Sequence, residues 1–172
     1  MLSLSGINKA LIFFCLAGVQ LSLYAYIVES RKEHDKEYTA MCDISENMSC
    51  SKAFMSPYGK GFGILGRIFG EESIVNQPNS ISGIIFYCIL ACLGTINTVP
   101  ATRWLVGLCI LSNVASLYLA YILYFILYDF CVVCVSTYVV NAINFVLSVM
   151  KLREVKNLEG KNQDGATNKK MK

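Results

Sequence analysis

Cys131 and Cys134 have the spacing that does redox chemistry. Only Val132 and Val133 separate them, so the two sulfurs lie about one helical turn apart and can close into a strained, readily reduced disulfide. A thiol near a helix N-terminus also feels a positive partial charge that favours the thiolate. The pair opens a long apolar run behind Tyr128-Asp129-Phe130. Thiol chemistry at a membrane boundary points to an oxidant or reductant that itself dissolves in lipid. The plain alternative is an inert pair buried in a transmembrane helix.

The chain has eight cysteines in all, and the other six sort by their surroundings. Cys42 and Cys50 lie in a polar segment. Cys15, Cys88, Cys92 and Cys109 lie inside apolar runs, where a buried cysteine behaves as a small hydrophobe. Three readings compete for the four polar-side thiols. Structural zinc sites bring ligands in pairs about two to four residues apart, and Cys42 and Cys50 stand further apart than that, so no metal is expected. A purely structural loop disulfide is the stronger rival. In the third reading, Cys42/Cys50 takes electrons from a soluble dithiol and passes them by exchange to Cys131/Cys134, which reduces a lipid-soluble substrate.

The surrounding chain must bring these thiols to one side of a membrane. Of its 172 residues, 55% are hydrophobic and only 16% charged, too apolar for a soluble domain of this size. The basic excess behind a net charge of +3 sits near the C-terminus, which bears on topology and not on nucleic acid. Apolar runs predict spans over about 7–28, 81–96, 104–128 and 130–150, measured against ~20 residues per crossing. The second is short. The first ends in Tyr24-Ala25-Tyr26, a poor cleavage site, so it reads as a retained helix. Asp129 alone separates the last two, which makes them an antiparallel hairpin.

Residues 29–80 form a polar loop. It begins with a mixed charge run, read as a solvated face that leaves His34 exposed. Its glycine-rich piece, Gly59 to Gly66, lacks the context of a phosphate loop. With Phe54, Phe62, Ile64, Leu65, Ile68 and Phe69 it reads as a flexible, amphipathic cover. Asn76 to Ser80 then caps the next helix. Residues 151–172 read as a basic, disordered tail. Lys9, Arg103, Lys151, Arg153 and Lys156 place both termini in the cytosol by the positive-inside rule. Cys42, Cys50, Cys131 and Cys134 then share the opposite, disulfide-permissive side. An Asn47-Met48-Ser49 glycosylation sequon and lysines at 169 and 170 agree with an endoplasmic reticulum address.

Several spaced motifs carry a resemblance. Ala40-Met41-Cys42-Asp43, Ser49-Cys50-Ser51, Gly59-Lys60-Gly61-Phe62-Gly63, Asn76-Gln77-Pro78-Asn79-Ser80, and Tyr128-Asp129-Phe130-Cys131 through Cys134 to Tyr138 resemble the vitamin K epoxide reductase family, over nearly the whole chain. The resemblance implies an all-α membrane protein: a four-transmembrane-helix bundle around a quinone pocket, with a lumenal cap loop. It implies that Cys131 and Cys134 are the catalytic pair, with Cys134 engaging the substrate, and that Cys42 and Cys50 are the electron shuttle. Asn79 and Tyr138 would bond the substrate's ring oxygens, and Phe54 and Phe86 would be apolar walls.

The implied activity is reduction of vitamin K 2,3-epoxide and quinone by a dithiol, with no bound cofactor. The implied partner is a thioredoxin-like lumenal oxidoreductase, and the protein is read as a monomer. The same relay run in reverse is the alternative: a quinone-coupled thiol oxidase that makes disulfides in secretory proteins. Pro57-Tyr58 stands where Arg-Trp is commoner in the vertebrate enzymes, and Ile84 where a non-catalytic cysteine often lies. The redox core is intact, while the altered loop bears on sensitivity to coumarin-type anticoagulants.

Overall fold

Four long helices carry the apolar runs in the computed structural model, which describes residues 3–43, 49–70, 73 and 76–170. They are α1 (Leu4–His34), α4 (Asn79–Thr95), α5 (Val99–Phe125) and α6 (Val132–Lys170). Two short helices, α2 (Cys50–Met55) and α3 (Leu65–Phe69), and a 3-10 turn at Gly61–Gly63 build the cap between α1 and α4. No strand occurs among the described residues, only an isolated bridge between Lys60 and Pro78. The expected all-α membrane bundle is what forms. Asn47 and the end of the lysine-rich tail lie outside the described residues.

Each helix departs from its expected bounds for a local reason. The charge run after Val28 continues α1 for a further turn and a half. Arg31, Lys32 and His34 fall in its last turn, where cations meet the exposed carbonyl end. Lys32 Nζ also donates to the carbonyls of Lys36 and Tyr38, at 2.7 Å each. α5 starts before Trp104 because Pro100, near the first helical position, initiates a helix there instead of breaking one. The tail after Met150 continues α6 as helix and is not irregular. Leu152, Glu154, Lys156, Leu158 and Glu159 are good helix formers, and Val155 is buried.

α1, α5 and α6 are long and apolar enough to cross a membrane, while α4 has 17 residues. Phe13, Trp104, Leu117 and Tyr124 point outward, as they would into lipid and not water. Inside, α1 packs on α4 and α6, and α5 on α6. Ile7, Leu11 and Cys15 of α1 meet Tyr87 and Leu90 of α4, Leu105 and Cys109 of α5, and Val140 and Leu147 of α6. Cys15 and Cys109 are thus the small core residues expected. Cys88 and Cys92 are not, since both lie exposed on the outer face of α4.

Polar groups inside the bundle are largely paired, as a lipid environment demands. The Tyr87 hydroxyl donates to Asn141 Oδ1 at 2.8 Å, and Asn141 Nδ2 donates to Ser116 Oγ at 2.9 Å. Buried Lys151 donates to the Gly94 carbonyl in the last turn of α4. The Tyr87 bond makes Gly18 a tight site. A Cβ at residue 18 would lie 2.5 Å from the Tyr87 ring, and the bond to Asn141 stops that ring from swinging clear. Gly18→Ala is expected to destabilise the bundle by about 1–3 kcal/mol, read as a lowered midpoint of thermal unfolding in detergent micelles.

Candidate active site

The connection from α5 to α6 is tight enough to aim a cysteine. Tyr128 takes φ 50, and the Asp129 N–H donates to the Leu123 carbonyl at 3.2 Å. Cys131 then stands immediately before α6. Its sulfur accepts the Cys134 N–H at 3.3 Å, as an N-cap side chain would.

The cap supplies the second pair. Ser49 caps α2, with its hydroxyl accepting the Lys52 N–H at 3.2 Å, so Cys50 opens that helix. One carboxylate ties Cys42 to Cys50. Asp43 Oδ1 accepts from Ser49 Oγ and the Ser51 N–H, at 2.9 and 3.0 Å. Asp43 Oδ2 accepts from the Ala40 N–H and Ser51 Oγ, at 3.0 and 2.6 Å. Burial alone would raise the Asp43 carboxyl, but the bonds from Ser51, Ala40 and Ser49 outweigh it and hold it below the usual carboxylate range.

The two pairs meet. Cys50 and Cys131 share one buried cluster, with Cys42 and Cys134 packed against it, and the Cys50 thiol donates to the Cys42 carbonyl at 3.8 Å. Tyr24 of α1 packs against the same cluster as Cys42, at the outer end of this file. Cys50 and Cys131 are both 0% exposed, and Ala25, Leu123, Val133 and Phe54 pack around them. Cys42 and Cys134, at the two ends, are half-buried. All eight cysteines are free thiols here, so the arrangement is that of the fully reduced chain.

Their surroundings keep the two cap thiols, Cys42 and Cys50, protonated. The neighbouring Cys131 thiol, and then burial, raise Cys50. Burial, followed by the bond to Cys50, pushes Cys42 up to about 12. Alkylation of Cys42 in the reduced protein is therefore expected to accelerate about tenfold per pH unit from pH 7 to 9 without levelling. An ordinary thiol would level near pH 8.5. Iodoacetamide labelling followed by mass spectrometry reads this directly.

The other predicted site residues are more dispersed. Asn79 opens α4 after Pro78, which takes the N-cap position. Its side chain turns into the cap: Oδ1 accepts the Phe62 N–H at 2.9 Å, and Nδ2 donates to the Tyr58 carbonyl at 2.7 Å. The glycine-rich piece is pinned by these bonds and is not a loose cover. Gly59 packs so closely that a Cβ there would lie 2.0 Å from the Phe54 carbonyl oxygen. Tyr138 stands one turn beyond Cys134 on α6, half-buried and within electrostatic range of Cys134 and Cys131. Phe54 packs with the thiols, whereas Phe86 packs on the other core cluster, edge-on to Tyr87. A cleft of about 340 Å³ opens between the cap residues Tyr58, Ile64 and Ile68 and the end of α5, at Tyr118, Ile122 and the C-cap residue Ile126.

Asp43, Tyr24 and Asp129 are the contributors that the sequence reading did not assign. The signal for Asp129 was present, because a lone acid between two apolar runs is expensive and therefore functional by default.

An all-helical membrane bundle that gathers four cysteines beneath a cap has the architecture of a membrane-embedded oxidoreductase. Residues 9–149 match the vitamin K epoxide reductase family, and the chain belongs to that family. It is 45% identical to vitamin K epoxide reductase complex subunit 1 of Rattus norvegicus and 44% identical to that of Mus musculus. Each comparison runs over 142 residues, 83% of this chain and 88% of the relative.

Proposed function

We propose that the protein reduces vitamin K 2,3-epoxide to the quinone, and the quinone to the hydroquinone, through a relay of two cysteine pairs. The file of thiols from Cys42 through Cys50 and Cys131 to Cys134, gathered in one cluster under the cap, carries this reading. Thiol–disulfide exchange needs contact between sulfurs, and each neighbouring pair in the file is in contact.

The balance is simple. Cys131 and Cys134 give two electrons and two protons to the substrate and become a disulfide. The epoxide oxygen leaves as water, or the quinone becomes hydroquinone. Cys134, at the half-buried end of the file, is the thiol that meets substrate, with Cys131 resolving it. Cys50 then attacks Cys131, Cys134 departs as the thiol, and Cys42 attacks Cys50 to free Cys131. The pair Cys42/Cys50 is left oxidised for a soluble thioredoxin-like dithiol to reduce. Tyr138, one turn from Cys134, is placed to donate to a ring oxygen, and Asn79 keeps one N–H beyond its bond to Tyr58 for the same purpose. Donors aimed at developing enolate charge lower the barrier. Phe54, packed beside the thiols, is the apolar wall at that end.

With α4 as a fourth crossing both termini share one face, and the positive-inside rule assigns it to the cytosol and the cap to the lumen of the endoplasmic reticulum. Purified protein given dithiothreitol is expected to convert vitamin K epoxide to quinone. Absence of any turnover in protein that is folded and reduced would refute the assignment.

A further inference from the structure

Asp129 is 7% exposed, and its carboxylate joins the two halves of the relay. Oδ1 accepts the Ser49 N–H at 3.0 Å and the Phe130 N–H at 2.8 Å. Ser49 immediately precedes Cys50, and Phe130 immediately precedes Cys131. One oxygen atom therefore fixes the backbone beside each of the two sulfurs that must exchange. Oδ2 is buried with no hydrogen-bond partner among the described residues. Burying a carboxylate with one oxygen unpaired lowers stability, so packing gives no reason to keep an acid here. The short connection after α5 aims it, since its own N–H is held by the Leu123 carbonyl.

We propose that Asp129 is a positioning residue for exchange between the cap pair and the membrane pair, holding Cys50 in register with the Cys131–Cys134 bond. This rests on the relay reading above. Exchange is a displacement in which the attacking, central and leaving sulfurs must align. Cys50 attacks Cys131, the Cys50–Cys131 bond forms, and the Cys131–Cys134 bond breaks with its electron pair on Cys134. Cys134 takes up the proton that Cys50 gives up. The packing of cap on bundle here is apolar and sets no register by itself, and a slip of an ångström between them would separate the reacting sulfurs. The Oδ1 bridge prevents that slip. An amide oxygen can accept the same two N–H groups, so the role needs the acceptor and not the charge.

The test compares two electron donors on the full-length protein. Reduced thioredoxin must work through the cap pair, whereas dithiothreitol is small enough to reduce the membrane pair directly. The readout is the ratio of thioredoxin-driven to dithiothreitol-driven turnover of vitamin K epoxide, which cancels general loss of folded protein. Asp129→Ala is expected to lower that ratio at least tenfold, with the yield of trapped Cys50–Cys131 disulfide in a Cys42→Ser background falling in step. Asp129→Asn is expected to restore both. Should Asp129→Ala fail to accumulate, Asp129→Glu, which displaces the acceptor by one methylene, is expected to lower the ratio where Asp129→Asn does not. An unchanged ratio in Asp129→Ala or Asp129→Glu, or an equal loss in Asp129→Asn, would overturn the proposal. If Cys42→Ser alone leaves the wild-type ratio unchanged, the relay itself fails, which is a separate result.

Discussion

Cys134→Ala is expected to abolish turnover of vitamin K epoxide with every electron donor, by about 10³-fold or more, the scale on which removal of a covalent nucleophile acts. The reason is positional. Cys50 and Cys131 are fully buried, so of the two thiols beside α6 only Cys134 has a face open to a ligand. Without it, Cys131 has no partner within reach on the substrate side, and no donor can substitute. Cys131→Ala should differ in kind. It leaves Cys134 able to attack the substrate once, and nothing to resolve the adduct, so a covalent Cys134–substrate species should accumulate while steady turnover is lost. Mass spectrometry of the two variants after incubation with the epoxide separates them. An adduct on Cys131 in the Cys134→Ala protein would reverse the assigned order of the pair.

The thiols were legible in the sequence because their spacing and their segments set them apart. Their contact was not. Nothing local to Cys50 or Cys131 says that the two meet, since their meeting depends on a cap folding back over eighty residues. Asp43 and Asp129 escaped for the same reason: each acts on backbone groups distant in sequence, Asp129 on Ser49 and Asp43 on Ser51. Helix bounds were misread where polar residues continue a helix that lipid would end. The run from Glu29 to His34 and the stretch just after Met150 are both charged, yet both hold mostly good helix formers, such as Arg31, Lys32, Leu152 and Glu154, attached to an already nucleated helix. Asn79 shows the opposite limit. Its residue type suits a helix cap, but Pro78 already occupies that position, which frees the Asn79 amide to hold Tyr58 and Phe62 of the cap.

Changing both cap cysteines, Cys42→Ser with Cys50→Ser, is expected to separate the two donors. Thioredoxin-driven turnover should fall by at least about 10²-fold, while turnover driven by dithiothreitol should stay within about threefold. A folded protein cannot bring its thiolate to Cys131, which is 0% exposed beneath the cap, whereas a molecule of a few atoms can reach the half-buried Cys134 side. The single variants divide the labour further. Cys42→Ser leaves Cys50 able to attack Cys131 but removes the thiol that releases it, so the Cys50–Cys131 disulfide should build up. Cys50→Ser breaks the file at its centre, and no cap-to-bundle disulfide should form at all. Non-reducing peptide mapping reads both outcomes. A Cys42–Cys131 bond in place of the Cys50–Cys131 bond would show that electrons bypass Cys50, which the buried contact between Cys50 and Cys131 forbids in the folded arrangement.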